Sequence, residues 1–321
     1  MTRLKLPRML RVREKTAHAG LARRKANRRH QAAIEVLEQR LEMAQVSWTG
    51  LGDGTTWQNA NNWSSKAVPG VSDDVTIDVA NNPTIIYNNG TSTIHSLVDD
   101  DSLNIAGGSL AVTSGLTVGN GATLSATNAG TSFTASGATN IDGANLYANG
   151  GAVLCLPAAT SYTQNTLSNY SDRTLQASGA GSMLALPNLT TITGSTNYNS
   201  NLFIQALAGG HVNLGAATAV TGGAVNFTAD GANSQIDLSA LQSFQGYFHD
   251  GSTSNIQATK GGTILDPVLA TVNTAGLTLD GTGTIATAQI TVLTNSGVAV
   301  SGGAADFSGL TVLTNPKTSV I

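Results

Sequence analysis

The chain has 321 residues, of which 36 are glycine and only 11% are charged. Its net charge of -3 hides a segregation, because residues 1–43 hold 12 of the 16 Lys and Arg and all four Glu, whereas the remainder holds fifteen Asp and four cations. An acidic body repels phosphate, which excludes it as a nucleic-acid-binding surface. The absence of any run of 18 apolar residues excludes a membrane-spanning helix.

The composition break at Ala44 predicts two structural classes in one chain. The body is rich in Gly, Thr, Ser, Asn and Val, which favour strands and turns over helices. We therefore predict a basic leader (1–44), a Trp-rich cap with the first strands (45–99), a repeat region (100–315) and a short tail (316–321). The single cysteine, Cys155, excludes an intramolecular disulfide and, within an apolar run, is expected to be a small buried residue.

The leader ends in an amphipathic segment, residues 30–44, that places Ile34, Leu37, Leu41 and Ala44 on one helical face. A short amphipathic helix after a basic stretch fits a nucleic-acid tail, a membrane-surface helix or an export signal. The acidic body disfavours the first of these. A standard secretory signal would need a continuous apolar core of about 7–15 residues, and the leader has none.

The stretch "LEQRLEM" (37–43) resembles the LEPR-XLL type of N-terminal signal found on large bacterial surface and secreted proteins. Leu37, Glu38 and Arg40 match that motif, whereas glutamine replaces its proline and Glu42 replaces a leucine. The resemblance implies that Leu37, Glu38, Arg40 and Leu41 form a sorting signal, that the protein is secreted or displayed at the cell surface, and that the leader is removed near Ala44. The alternative is a solvated helix with no special role.

All three tryptophans fall within 16 residues, as Trp48, Trp57 and Trp63. Their order with Gly50 and Pro69 resembles the opening module of bacterial secreted β-solenoids of the autotransporter and haemagglutinin kind. The first coil of a solenoid exposes its apolar end, and bulky indoles can cover it. The alternative is that Trp57 and Trp63 form a platform on which sugar rings stack. The aspartates of this segment suit turns better than a calcium site, because no EF-hand or nonapeptide spacing is present.

The repeat region consists of short apolar strands separated by residue–glycine turns that recur every 20–30 residues. The turns are Asn149–Gly150, Ser178–Gly179, Ala208–Gly209, Asp230–Gly231, Lys260–Gly261, Asp280–Gly281 and Ser301–Gly302. This pattern predicts an all-β fold, a right-handed parallel β-helix of roughly nine coils, preceded by the short basic helix. More closely spaced phrases such as "SLNIAGGSLAV" (102–112) are interpreted as half-coils or a looser start. A β-propeller or jelly roll is the alternative fold.

Catalysis has one candidate cluster, Asp230, Lys260 and Asp280, which this alignment places in the same turn register of nearby coils. Polysaccharide lyases and hydrolases need converging carboxylates and bases, and glycosidases need two carboxylates about 5–9.5 Å apart. The same register also holds Asn149 and Ala208, which favours a turn position. Arg173 is interpreted as a surface ion pair with Asp172, and no histidine has a second ligand at metal-binding spacing. We expect no catalytic residues, no metal and no cofactor.

The segment 241–253 carries the densest aromatic content of the repeats, with Phe244, Tyr247 and Phe248, and we predict a protruding, ligand-binding loop there. The sequence therefore predicts a non-catalytic, secreted or cell-surface, structural or adhesion β-helix that contacts extracellular glycans or surface proteins. The alternative is a polysaccharide-binding or polysaccharide-cleaving β-helix. The C-terminal coil has no evident cap, which predicts self-association through an open sheet edge.

Overall fold

A computed structural model describes residues 44–165, 168–249 and 252–316, and the side chain of His249 is not part of that description. The predicted all-β, parallel β-helical fold is confirmed, because the strands pair in parallel from one coil to the next. The predicted leader helix and the sorting-signal residues Leu37, Glu38, Arg40 and Leu41 lie outside the described residues.

The described residues form 31 strands and one 3-10 turn, Ala60–Asn62. In chain order the strands are β1 (Ala44–Ser47), β2 (Asp73–Ile77), β3 (Thr84–Tyr87), β4 (Thr91–Asp99), β5 (Ser102–Ile105), β6 (Ser109–Val118), β7 (Thr123–Thr127), β8 (Ser132–Ala135), β9 (Ala138–Asn140), β10 (Asn145–Asn149), β11 (Val153–Cys155), β12 (Ser161–Thr163), β13 (Arg173–Ser178), β14 (Met183–Ala185), β15 (Thr191–Thr193), β16 (Leu202–Leu207), β17 (His211–Asn213), β18 (Ala219–Val220), β19 (Val225–Asp230), β20 (Gln235–Asp237), β21 (Ser243–Gln245), β22 (Phe248–His249), β23 (Ser252–Thr253), β24 (Asn255–Thr259), β25 (Thr263–Leu265), β26 (Thr271–Asn273), β27 (Gly276–Leu279), β28 (Thr284–Ile285), β29 (Val292–Thr294), β30 (Gly297–Val300) and β31 (Val312–Thr314).

Three long sheets run along the solenoid. The six coils from β10 to β29 each contribute one strand to all three sheets, whereas the coils before β10 have strands in two of them. Sheet I has the order β1-β2-β4-β6-β8-β11-β14-β17-β20-β25-β28, with β9 also on β6. Sheet II has the order β3-β5-β7-β10-β13-β16-β19-β24-β27-β30, and sheet III has the order β12-β15-β18-β21-β26-β29-β31.

The coil count matches the sequence prediction, and the interpretation of the first repeats as half-coils agrees with the strand register. From β5 to β30, sheet II contains nine strands within the described residues, one for each coil. Leu103 pairs with Leu124 of the next coil in unbroken register, so this coil repeats after 21 residues. The phrase at 102–112 covers only β5 and the start of β6, which is about half of that coil.

The interior of the solenoid is filled by like residues stacked at the same position of successive coils. In sheet II, Leu146 pairs with Leu175, which pairs with Ile204, which pairs with Phe227. All four side chains are fully buried. Alternate residues of each strand point inward, as a period of two requires. Burying one such side chain stabilises the fold by roughly 1.5–3 kcal/mol, so each coil depends on the coils above and below it.

The tryptophans cover the first coil as the capping interpretation predicts. Trp48 and Trp57 both contact Trp63 edge-on, with ring centroids 4.9 and 4.7 Å apart. The Trp63 indole N–H donates to the carbonyl oxygen of Trp57 at 2.7 Å. The buried carboxamide of Asn62 accepts the backbone N–H of Gly52 and donates to the Asp53 carboxylate. The cap therefore consists of three packed indole rings, and the hydrogen bonds of the Asn62 carboxamide hold the surrounding loop in place.

One carboxyl group lies inside the apolar column. Asp99 of sheet I pairs with Ile77 on one side and Val118 on the other, so its side chain takes an inward position. It is fully buried, and neither carboxyl oxygen has a hydrogen-bond partner. Burial raises the pKa of Asp99 to about 8, and the neighbouring charges of Asp101 and Asp100 add to the shift.

The raised pKa of Asp99 predicts that stability falls as pH rises. An unfolded aspartate has a pKa of about 3.9, so between about pH 4 and pH 8 the unfolded chain has released a proton that the folded chain retains. The free energy of unfolding is expected to fall by several kcal/mol, as an order of magnitude, across this window. Asp99→Asn should match the wild type near pH 4 and exceed it near pH 8 in chemical denaturation.

Asp78→Asn is the control for this experiment, because Asp78 is an exposed aspartate next to the same strand β2. Its pH profile should stay parallel to that of the wild type. Parallel profiles for Asp99→Asn and the wild type would show that the buried carboxyl does not retain its proton.

Candidate functional site

Three of the five predicted ligand-binding residues belong to the core and cannot contact a ligand. Phe244 lies in sheet III between Val220 and Val272 and is 1% exposed. Trp57 and Trp63 are fully buried in the cap. The prediction of ligand contact at Phe244, Trp57 and Trp63 is therefore wrong. The error arises because the density of aromatic residues does not show which side chains point into the core and which point to solvent.

Tyr247 and Phe248 remain, and they lie on the predicted protruding segment. Strands β22 and β23 pair antiparallel there, with Phe248 opposite Thr253, and form a hairpin in the connection between β21 of sheet III and β24 of sheet II. The Tyr247 hydroxyl donates to the carbonyl oxygen of Thr196 at 3.1 Å, and the Ser252 hydroxyl donates to that of Asn197 at 3.3 Å. The hairpin is thus fastened to a connection that lies two coils earlier.

A groove of about 360 Å³ lies beside this hairpin, along the outer face of sheet II. We call it the hairpin groove. Its lining residues are Asn226, Tyr247, Phe248, Thr253, Ser254, Asn255, Thr274, Ala275, Gly276, Thr278, Asn295 and Gly297. The Phe248 side chain is 60% exposed and borders this groove.

The floor of the hairpin groove is one register position followed across four coils. Asn226 pairs with Asn255, Asn255 with Gly276, and Gly276 with Gly297. A Cβ atom on Gly276 would come within 2.8 Å of the Asn255 carboxamide oxygen. Glycine at this position therefore leaves room for that carboxamide, which also accepts the Thr278 hydroxyl at 3.2 Å. Because Gly276 and Gly297 have no side chains, the groove is deeper at these two positions than at Asn226 and Asn255.

The hairpin groove offers aromatic surface together with neutral hydrogen-bonding groups. Within the described part of the chain its lining contains amides, hydroxyls and two aromatic rings, and no carboxylate, ammonium, imidazole or thiol. Such a lining can bind a ligand that has both an apolar face and hydroxyl groups.

The Asp230, Lys260 and Asp280 cluster is a turn arrangement, and its predicted register is off by one residue. Thr259 pairs with Asp230, so Lys260 occupies the position of Gly231 and Gly281 in the neighbouring coils. Like those glycines, Lys260 has a positive φ, 51°. The residue–glycine pairing misaligned this coil because a lysine stands here in the left-handed slot that glycine usually fills.

The carboxylates of Asp230 and Asp280 accept hydrogen bonds that hold the turns together. The backbone N–H of Lys260 donates to Asp280 at 2.7 Å, and the Lys260 ammonium lies 3.1 Å from Asp230. Further hydrogen bonds come from Thr282 to Asp280 and from Thr259 to Asp230. Hydrogen bonds from backbone Lys260 and Thr282 hold the pKa of Asp280 far below its usual range, and the Thr259 hydroxyl lowers that of Asp230. Neither carboxylate can therefore retain a proton for general-acid catalysis near neutral pH.

Two smaller sequence interpretations also change. The Arg173 guanidinium donates to the carbonyl oxygens of Gly143 and Asp172 and to the Asn120 carboxamide, so the predicted ion pair with the Asp172 carboxylate is wrong. Cys155 is half-buried rather than buried, because the alternation of β11 turns Leu154 inward. Burial nevertheless raises the pKa of the Cys155 thiol, which disfavours a reactive thiolate.

Comparison of the chain with protein-family models, with curated proteins and with solved structures finds no match. Across the described ranges, no three His, Cys, Asp or Glu side chains come together as a possible metal site. No helix in those ranges is long and apolar enough to cross a bilayer.

The turn interpretation of Lys260 is tested by two substitutions at that one position. Both Lys260→Ala and Lys260→Gly remove the exposed ion pair, which contributes about 0–1 kcal/mol. Only glycine also removes the cost of a side chain in the left-handed region, about 1–2 kcal/mol. Chemical denaturation should therefore find Lys260→Gly about 1 kcal/mol more stable than Lys260→Ala. The opposite order would show that the turn does not require this backbone conformation.

Proposed function

We propose that this chain is an exported, non-catalytic adhesion module that binds extracellular glycans through the hairpin groove. The exposed ring of Phe248 beside a neutral lining of amides and hydroxyls carries the proposal. The apolar face of a sugar ring packs on an aromatic ring, while its hydroxyls exchange hydrogen bonds with amides and hydroxyls. A surface protein is the competing ligand, and it would need a larger apolar contact area than this groove presents.

The solenoid serves in this proposal as a rigid spacer. Nine coils at about 4.8 Å each give a length of roughly 40 Å, and every coil is fixed by pairing with its neighbours. Two sequence features support export to the cell surface or the medium. They are the resemblance of residues 37–43 to a LEPR-XLL signal and the composition break that follows it.

Polysaccharide cleavage is the weaker alternative. Two observations disfavour cleavage. The hairpin groove has an uncharged lining, and the carboxylates of Asp230 and Asp280 accept hydrogen bonds within the turns. A β-helical lyase or hydrolase would bring carboxylates and a base together over the bound sugar.

Glycan binding at the hairpin groove is expected to depend on Phe248. On a glycan array, the purified chain should retain at least one class of glycan, and Phe248→Ala should lower the affinity about tenfold, which corresponds to about 1.4 kcal/mol. Val268→Ala is the matched control, because Val268 is also an exposed apolar residue but lies outside the groove. Failure to bind any glycan on the array, or equal binding by Phe248→Ala, would refute the proposal, and release of shortened glycan products would favour cleavage.

We also propose that the chain self-associates through its last described coil. Leu313 occupies the inward column after Val272 and Leu293, yet it is 55% exposed. With Leu293, Val298, Phe307 and Leu310 it borders an apolar cavity at that end. The opposite end is covered by the tryptophan cap, so contact between two such coils gives a closed dimer and not an open fibre. A second copy fits best because it offers matching sheet edges and a matching apolar surface.

Self-association is expected to weaken when Leu313 carries a charge. In sedimentation equilibrium, the wild type should pass from monomer to dimer as concentration rises, and Leu313→Asp should remain monomeric over the same range. Val268→Asp places the same charge on an exposed position elsewhere and should dimerise normally. Hydrogen exchange of the earlier coils confirms that each variant is folded. A wild type that stays monomeric, or a Leu313→Asp that dimerises equally well, would rule out this interface.

A further inference from the structure

A second pair of exposed aromatic rings lies on the same corner of the solenoid as the hairpin groove. Tyr170 and Tyr198 are 73% and 37% exposed, and their ring centroids are 5.4 Å apart in an edge-on arrangement. Both lie in connections from sheet III to sheet II, residues 168–172 and 195–201, which is the connection that the hairpin occupies in its own coil.

The backbone presents Tyr170 outward at an energetic cost. Tyr170 has a φ of 57°, in the left-handed region that bulky residues rarely adopt. Its backbone N–H donates to the Tyr198 carbonyl oxygen at 2.9 Å, and the Tyr198 N–H donates to the Asn169 carboxamide at 3.1 Å. The two connections are thus locked together coil to coil. A strained, fixed conformation that exposes a ring is typical of a contact site.

The tyrosine pair and the hairpin groove form one continuous surface. The Tyr247 hydroxyl donates to Thr196, two residues from Tyr198, so the hairpin rests on the loop that carries the second ring of the pair. Tyr170 precedes β13 and the hairpin precedes β24, and in sheet II these strands are three steps apart. Three steps span about 14 Å along the solenoid. We call this surface the aromatic corner, and it comprises Tyr170, Tyr198 and the hairpin groove.

The charges around this surface select among glycans. The hairpin groove is lined by uncharged residues, and the part of the chain after residue 43 carries fifteen Asp against four cations. Asp172 lies two residues from Tyr170, and the nearby Arg173 guanidinium is occupied by three protein oxygens. The surplus of aspartates therefore disfavours an anionic polysaccharide on this corner, and the three hydrogen bonds of Arg173 leave its guanidinium less able to bind a carboxylate.

From these observations we propose that the ligand is a neutral polysaccharide bound lengthwise along the aromatic corner, with Tyr170 and Tyr198 as a second stacking position. This inference rests on the proposed glycan-binding function and adds the class and the orientation of the ligand. Two separated stacking positions on one rigid scaffold raise the affinity for a chain long enough to reach both.

The test is the binding of oligosaccharides of graded length to the full chain, measured by titration calorimetry. The probes are neutral gluco- and manno-oligosaccharides of two to eight units and oligogalacturonates of the same lengths. We expect neutral probes to bind, with affinity rising once the chain reaches both positions, and oligogalacturonates not to bind. Tyr170→Asn, which tolerates the positive φ, and Tyr198→Ala should each weaken the longest neutral probes about tenfold and leave the shortest unchanged.

Two further variants separate the possible outcomes. Phe248→Ala should weaken short and long probes alike, and Met183→Ala, an exposed residue of sheet I, should change neither. Preference for oligogalacturonates, or equal losses for short and long probes in Tyr170→Asn, would overturn this inference and leave glycan binding at the hairpin groove intact. Failure of every glycan to bind would overturn both the inference and the proposed function.

Discussion

The whole structure depends on the parallel, in-register pairing of each coil with the next. This pairing gives the strands of the three long sheets their hydrogen-bond partners, and it places like side chains on top of one another in the interior. A coil taken alone would leave both sides of its apolar residues in water, so no coil is stable without its neighbours. The interior positions are therefore fixed by packing. The outward positions, and the connections between sheets II and III, remain available for other roles.

The same constraint explains which parts of the fold the sequence predicted. Glycine turns at intervals of 20–30 residues and alternating apolar strands were sufficient to predict a parallel β-helix and about nine coils. The register inside one coil was harder to predict. At Ala208 and Lys260, residues other than glycine adopt a positive φ, at 51° in both cases, in the slot that Gly179, Gly231 and Gly281 fill elsewhere. The left-handed region costs such a residue only about 1–2 kcal/mol, so the pairing between coils overrides the local preference. An alignment based on glycine is therefore displaced by one residue at these two turns.

The candidate site shows a different limit. The density of aromatic residues identified the segment 241–253, but Phe244 points into the core and Phe248 points to solvent. The strand that carries Phe244 has three residues, Ser243–Gln245, which is too short for a period of two to assign a face. The rest of the groove comes from Asn226, Asn255, Gly276 and Gly297, which are 21–29 residues apart in sequence and meet only through register. These residues could have been found in the sequence by aligning the coils so that their outward-facing positions coincide.

The distribution of perturbed carboxyl groups follows the stacked interior of the solenoid. Strongly shifted pKa values usually point to active sites, because catalysis needs groups that hold or release protons near neutral pH. Here the groups with pKa raised toward neutrality, Asp99 and Asp266, are at most 2% exposed and do not line the hairpin groove. The Asp266 carboxylate accepts the backbone N–H of Ala286, so it serves the packing of successive coils. The shifts therefore arise from the interior that stacking creates, where desolvation disfavours the charged form of each carboxyl group.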